Sequence, residues 1–130
     1  WGSFGVFWNR PILTVGVRPQ RYTLGFVEEN EYFTVTFPGR AHRAATQYCG
    51  VHSGRDVDKV REAGLHPVFG GQGVWFEEGE LVFVCRKITR DALRPDSFLD
   101  KAIEEKNYAE KDYHILFSAE IVQVLRRDDE

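Results

Sequence analysis

Two short segments hold the side chains best suited to chemistry. The first, residues 48–59, reads Y-C-G-V-H-S-G-R-D-V-D-K. Ser53 suits the N-cap of a helix, and Asp56 completes a capping-box pattern with Asp in place of Glu. A helix start leaves backbone N–H groups unpaired and partially positive, which favours a small anion, above all a phosphate. Arg55 and Lys59 are one helical turn apart and reach the same side. The bland alternative is a solvated helix start with surface charges. The second segment, residues 18–23, reads R-P-Q-R-Y-T. Arg18 and Arg21 are planar, permanently charged donors that suit phosphate oxygens. Thr23 suits the N-cap of a short helix over residues 24–30. Two strand-to-helix junctions of this kind are able to converge on one phosphorylated ligand.

These junctions need a scaffold, and the hydrophobic pattern supplies mostly strands. Residues 11–18 alternate, with Leu13, Val15 and Val17 on one face and Ile12, Thr14, Gly16 and Arg18 on the other. Residues 31–37 put Phe33, Val35 and Phe37 on one face. Residues 67–69, 74–76 and 80–88 read as strands separated by Gly-rich turns, and 114–125 is the last strong strand. Helices are expected over 40–48, ended by Gly50, and over 54–63, ended by Gly64. Residues 91–108 are polar and read as a loop with a short helix near 100–106. The fold class is therefore mainly β: a small barrel with inserted short helices, not a doubly wound sheet. Most aromatics, including Phe4, Phe7, Trp8, Phe69 and Phe117, are expected to fill the barrel, with a minority forming an apolar dimer surface.

W-G-S-F-G at residues 1–5, N-R-P at 9–11, R-P-x-R-Y-T at 18–23 and Y-C-G-x-x-S-G-R-D-x-D-K at 48–59 occur in this order. Together they resemble the flavin reductase-like family, proteins that carry FMN on a split β-barrel, and within it the flavoredoxin-like branch. The resemblance implies one FMN-binding split-barrel domain over residues 1–130. It also implies a strand and a Thr/Ser-rich segment before the W-G-S motif. The chain begins at Trp1 and contains no Met, so its N-terminal strand is expected to be missing.

By the same resemblance, Trp1, Gly2 and Ser3 lie along the isoalloxazine ring, where Gly2 allows close backbone approach. Arg18, Tyr22 and Thr23 hold the phosphate or ribityl chain, and Ser53, Gly54, Arg55 and Lys59 add donors from the other junction. Gln20 stands where the family often has Ser, which weakens one hydroxyl contact within the site. His114 follows Asp112 with Tyr113 between them, where many relatives have an Asp-His pair. Its imidazole either tunes the flavin or assists a proton transfer, or is a strand histidine bonded within the barrel or to a dimer partner. The expected function is an FMN-binding oxidoreductase that passes electrons from NAD(P)H through FMN to an acceptor. The alternative is a flavoredoxin-like electron carrier served by a redox protein partner. No G-x-G-x-x-G is present, so NAD(P)H is expected to bind transiently in the flavin pocket. A homodimer whose interface shapes that pocket is expected.

Composition sets outer limits. The 130 residues are 42% hydrophobic and 14% aromatic, enough for one core. A net charge of −3 argues against a nucleic-acid binder, and no apolar run reaches membrane-spanning length. Cys49 and Cys85 lack metal-ligand spacing, as do His42, His52 and His66, so no metal is expected. Cys85 sits in an apolar run and is expected to be a buried thiol. A reducing, cytoplasmic setting follows as an expectation.

Overall fold

A computed structural model describes residues 1–128. Strands β1 (Gly2–Phe7) and β2 (Arg10–Val17) form an antiparallel hairpin. Trp8 and Asn9 join them with φ of 53° and 57°, and positive φ at both central residues marks a type I′ turn. The first strand read from the sequence starts at residue 11, so β1 adds a strand before it. Gly2 is what lets the pair close: a Cβ there would lie 2.6 Å from the Thr14 carbonyl oxygen.

Helix α1 (Thr23–Glu29) leads to β3 (Tyr32–Pro38), and a 3₁₀ turn precedes α2 (Arg43–Val51). The short α3 (Lys59–Glu62) is followed by a small hairpin, β4 (Pro67–Gly70) and β5 (Gly73–Phe76). The long strand β6 (Gly79–Ala92) continues past Ile88 into the segment expected to be loop, because it stays paired with β7 (Ile115–Arg126) as far as Ala92↔Ile115. Between them lies α4 (Lys101–Asn107).

The main sheet is antiparallel, in the order β1-β2-β7-β6-β3. Register shifts at Val84/Cys85 and Lys87/Thr89 bend the β6–β7 pair. The sheet curls enough for Phe4 of β1 to meet Phe83 of β6 at 5.2 Å and Phe37 of β3 at 6.2 Å. Its concave face packs Leu13, Phe83, Cys85 and Ala119 with Val15, Phe33, Val35, Phe37, Leu81 and Ile121. The two alternating faces read from the sequence, Leu13/Val15 and Phe33/Val35/Phe37, are the ones that meet. Cys85 is fully buried, and burial pushes its thiol pKa up to about 11. The mainly β class with inserted short helices holds; β1 and β3 form the two open edges of the described sheet.

Several aromatics expected in the core are outside it. Phe4, Phe7, Trp8 and Phe69 are 60%, 61%, 51% and 77% exposed. The first three belong to the β1 edge and its turn, and the last to the β4–β5 hairpin, so each lies at a margin of the sheet.

Helix limits also differ from expectation. Thr23 is the first residue of α1, and Tyr22 occupies the N-cap position without a side-chain bond. Gly50 lies within α2. The helix ends at His52, whose ring stacks on Tyr48 at 3.9 Å with Nδ1 3.0 Å from the Tyr48 carbonyl oxygen. Ser53 does not cap a helix over 54–63. Its Oγ accepts from Arg55 N at 3.1 Å and its carbonyl closes a single turn, while Asp58 caps α3 by accepting from Arg61 N at 3.2 Å. Gly64 ends α3 with φ 69°; its N–H reaches Arg61 O and that of Leu65 reaches Val60 O, a Schellman pattern.

Glu78, only 7% exposed, ties the β4–β5 hairpin to the sheet by accepting from His66 N and from His66 Nδ1 at 2.5 Å. The bond to Glu78 raises the His66 pKa above its ordinary 6.5, and the bonds from His66 lower that of Glu78 below 4.5 against the effect of burial. Their mutual stabilisation is therefore complete between those two values. It fades as pH falls through Glu78's depressed pKa, and as pH rises through His66's raised one. A double-mutant cycle of His66→Ala and Glu78→Gln, read by urea unfolding, is expected to give stronger coupling near pH ~5.5 than near pH ~9, where only the neutral hydrogen bond remains. Equal coupling at both would contradict an ionic pair.

Candidate functional site

The chain leaves β2 at Val17 and turns through Arg18–Tyr22 into α1, with Arg21 N bonded to Arg18 O and Leu24 N to Arg21 O. This turn faces the last turn of α2 and the start of α3. Between them lies a cavity of about 540 Å³, lined by Trp1, Gly16, Val17, Arg18, Arg21, Thr23, Cys49, Gly50, Lys59 and His114. Three cations line it, and no carboxylate does.

The three cations are held differently. Arg18 Nη1 lies 2.8 Å from Asp112 Oδ2, its Nη2 donates to Asn107 O at 2.9 Å, and its Cζ sits 4.9 Å from the centre of the Tyr108 ring. Asp112 also accepts from Gln20 Nε2 at 2.8 Å. The Gln20 bond, helped by Arg18, holds the Asp112 carboxyl below its usual range. Arg21 and Lys59, in contrast, touch only the C-terminal carbonyls of α2: Gly50 O at 3.5 Å and Cys49 O at 3.3 Å. The negative end of a helix suits cations there. Neither has a carboxylate partner among the described residues. A pair of uncompensated cations beside a concave, acid-free wall is a donor set for phosphate.

The expected site residues fall into four groups. Trp1, Arg18, Thr23, Lys59 and His114 line the cavity. Tyr22, Gly54 and Arg55 join the two junctions beside it: Arg55 Cζ is 5.3 Å from the Tyr22 ring centre, and a Cβ on Gly54 would lie 3.5 Å from Tyr22 Cδ1. Ser53 shapes that loop through its bond to Arg55 N, and Gln20 is committed to Asp112. Gly2 and Ser3 line an adjoining cavity of about 490 Å³ with Trp1, Phe4, Leu13, Val15, Val35 and Phe37.

His114 is 8% exposed. Burial, then the charge of Arg18, lowers its pKa below the usual value, against an opposing effect of Asp112. Its Nδ1 lies 2.6 Å from Tyr108 Oη, and the Trp1 ring is 5.3 Å away. The late connection is thus more than a solvated loop, since Asn107, Tyr108 and Asp112 all meet the site. Gly16, the α2 carbonyls and Tyr108 surround the candidate site residues, and the sequence reading missed them. A glycine inside a strand does signal close approach, and here a Cβ on Gly16 would lie 3.2 Å from His114 Cδ2. Nothing in the sequence links Tyr108 to His114.

From these contacts, Arg18→Ala is expected to lower the melting temperature and to weaken any phosphorylated ligand and its unphosphorylated analogue alike. From the sequence alone, only the phosphorylated one should suffer. Thermal unfolding together with two ligand titrations decides between these outcomes.

Residues 5–130 match the flavin reductase like domain model; the chain belongs to the flavin reductase-like family. No curated protein matches it with significance. Among solved structures it is similar to flavoredoxin from Methanosarcina acetivorans, at 28% identity and a TM-score of 0.72, over 98% of this chain and 59% of that one. It shares its fold with an FMN-binding protein from Thermus thermophilus with bound p-hydroxybenzaldehyde, at 21% identity, TM-score 0.71, covering 98% and 61%. It also shares it with a Shewanella frigidimarina protein described as a candidate flavin reductase with a split barrel domain, at 15% identity, TM-score 0.73, covering 98% and 58%. The chain spans about three-fifths of the length of these relatives. No helix among the described residues is long and apolar enough to cross a membrane.

Proposed function

We propose that this chain binds FMN in the cavity beside Arg21 and Lys59 and carries electrons from NAD(P)H to an acceptor. The observation that carries the reading is that pair of cations, steadied by helix carbonyls and lacking any carboxylate. They are the anchors for the phosphate, with Thr23 beside them, while Arg18 braces the late connection through Asp112 and Asn107. Tyr22, Ser53, Gly54 and Arg55 wall the phosphate and ribityl end, and Gln20 supports it through Asp112. Trp1, Gly2 and Ser3 line the flanking cavity, whose apolar walls suit a flat ring system.

When bound, a flavin supplies the hydride and electron chemistry, so the chain itself needs no nucleophile. Its residues anchor the phosphate, exclude water from the ring with Trp1 and the apolar wall, and hold an uncharged imidazole at His114. The exposed β1 edge, with Val6, Phe7 and Trp8, is the surface proposed for a homodimer contact. A second reading, an electron carrier without a small-molecule substrate, is favoured by the 28% identity to a flavoredoxin.

Anaerobic addition of NADH and then NADPH to the FMN-loaded protein separates the two. Rapid bleaching of the flavin absorbance supports the reductase. Bands that persist with both donors support the carrier. A protein that takes up no FMN sinks both.

A further inference from the structure

The bond between Tyr108 and His114 has a direction that its surroundings fix. Tyr108 is 7% exposed and His114 8%, so most of each side chain is removed from bulk water. Tyr108 Oη has one polar neighbour among the described residues, His114 Nδ1 at 2.6 Å. If Nδ1–H donated to Tyr108, the phenol proton would be left without a protein acceptor, an unfavourable arrangement for a largely buried group. If Tyr108 O–H donates to Nδ1, both groups are satisfied. The imidazole is then neutral with its proton on Nε2. Burial and the nearby Arg18 charge favour the same uncharged state.

The other ring nitrogen has no partner. No bond to Nε2 exists among the described residues, yet no described buried side-chain polar atom is left unsatisfied. Nε2 is therefore not sealed off, and His114 lines both the cation-bearing cavity and a smaller one shared with Trp1, Gly2 and Ser3 on the ring side. The ring is held from several sides: Gly16 lies against Cδ2 and the Trp1 ring stands 5.3 Å away. Tyr108 is fixed in turn by Arg18 over its face, by Tyr113 at 5.1 Å and by Phe98 at 5.4 Å. Tyr113 is anchored to α4 by donating to Glu104 Oε2 at 2.6 Å.

We propose that Tyr108 is a positioning residue: it holds His114 in the Nε2–H tautomer, so that a hydrogen-bond donor waits in the cavity for an acceptor atom on the bound ligand. Under the functional reading above, on which this part rests, that acceptor is a carbonyl oxygen or unprotonated nitrogen of the flavin rings. An imidazole free to exchange tautomers would present a donor only part of the time. Tyr108 removes that ambiguity without touching the ligand.

Long-range proton–nitrogen NMR of the ¹⁵N-labelled, ligand-free chain tests the tautomer directly. His114→Gln assigns the ring signals among those of the four histidines. The wild type is expected to show a protonated Nε2 and a bare Nδ1 at His114. Tyr108→Phe keeps the ring packing and is expected to give a tautomer mixture. A protonated Nδ1 in the wild type, or an unchanged tautomer in Tyr108→Phe, overturns the proposal. FMN is then added, with binding followed separately by fluorescence quenching. A shift of the Nε2–H signal on binding is expected. No shift while FMN binds overturns the donor role. Failure of FMN to bind overturns the functional reading and the donor role together, while the ligand-free tautomer result stands alone.

Discussion

Replacing Arg21 and Lys59 together with alanine is expected to weaken FMN binding by about a hundredfold or more and to leave riboflavin nearly unaffected. Each charge-assisted bond to a phosphate contributes roughly 1.5–3 kcal/mol, about a tenfold to hundredfold change in affinity. The two cations act on one anion, so their effects are not simply additive. The low end of the combined range is the safer figure. Both side chains lack ion-pair partners among the described residues and hold only the carbonyls of Cys49 and Gly50. The fold therefore has little to lose, and the unfolding midpoint is expected to change only slightly. Fluorescence titration of FMN and riboflavin against the variant reads the effect. Equal losses for the two ligands would mean that the cations support the loop and not the phosphate.

Phe117→Ala is expected to destabilise the protein by about 3–5 kcal/mol, the usual cost of removing a buried aromatic side chain. Phe117 is completely buried, near the start of β7, paired with Val15 on one side and Arg90 on the other. A domain's whole stability is on the order of 5–15 kcal/mol, so this single change consumes a large share. Urea unfolding measures it. The same strand begins next to His114, so looser packing at Phe117 is expected to reach the site as well. A loss below about 1 kcal/mol would contradict a core position.

What was legible in the sequence followed local periodicity. Alternation over Leu13 and Val15, and over Phe33, Val35 and Phe37, identified the two faces that pack together, while Val17 farther along lines the cavity. The apolar run around Cys85 announced its burial. Gly64 announced the end of α3 through its positive φ. The strand β1 was not legible, because what holds it is pairing with β2 and not its own pattern. Ser53 and Asp58 both offer an N-cap, and a local rule does not choose between them; the turn closed by Ser53 leaves Asp58 to start the helix. The two junctions lie side by side, where Gly54 and Arg55 meet Tyr22.

Long-range partners were out of reach. Arg18 read as a free phosphate donor because nothing nearby in sequence pairs with it. Its carboxylate, Asp112, comes from the far end of the chain. The same distance hid Gln20's bond to Asp112 and the place of Gly16 under His114. Site chemistry at the residue level was thus legible as a set of cations, but their division of labour was not. Arg18 braces the late connection, and Arg21 and Lys59 remain with their charge unanswered.

The measurement that tests the central claim most directly is a paired titration of the wild-type protein with FMN and with riboflavin at low and high salt. FMN is expected to bind at least about tenfold more tightly than riboflavin at low salt, since at least one charge-assisted phosphate contact separates the two ligands. Salt is expected to narrow this gap by screening. Equal affinities at both salt concentrations, or binding of neither ligand, would contradict the claim.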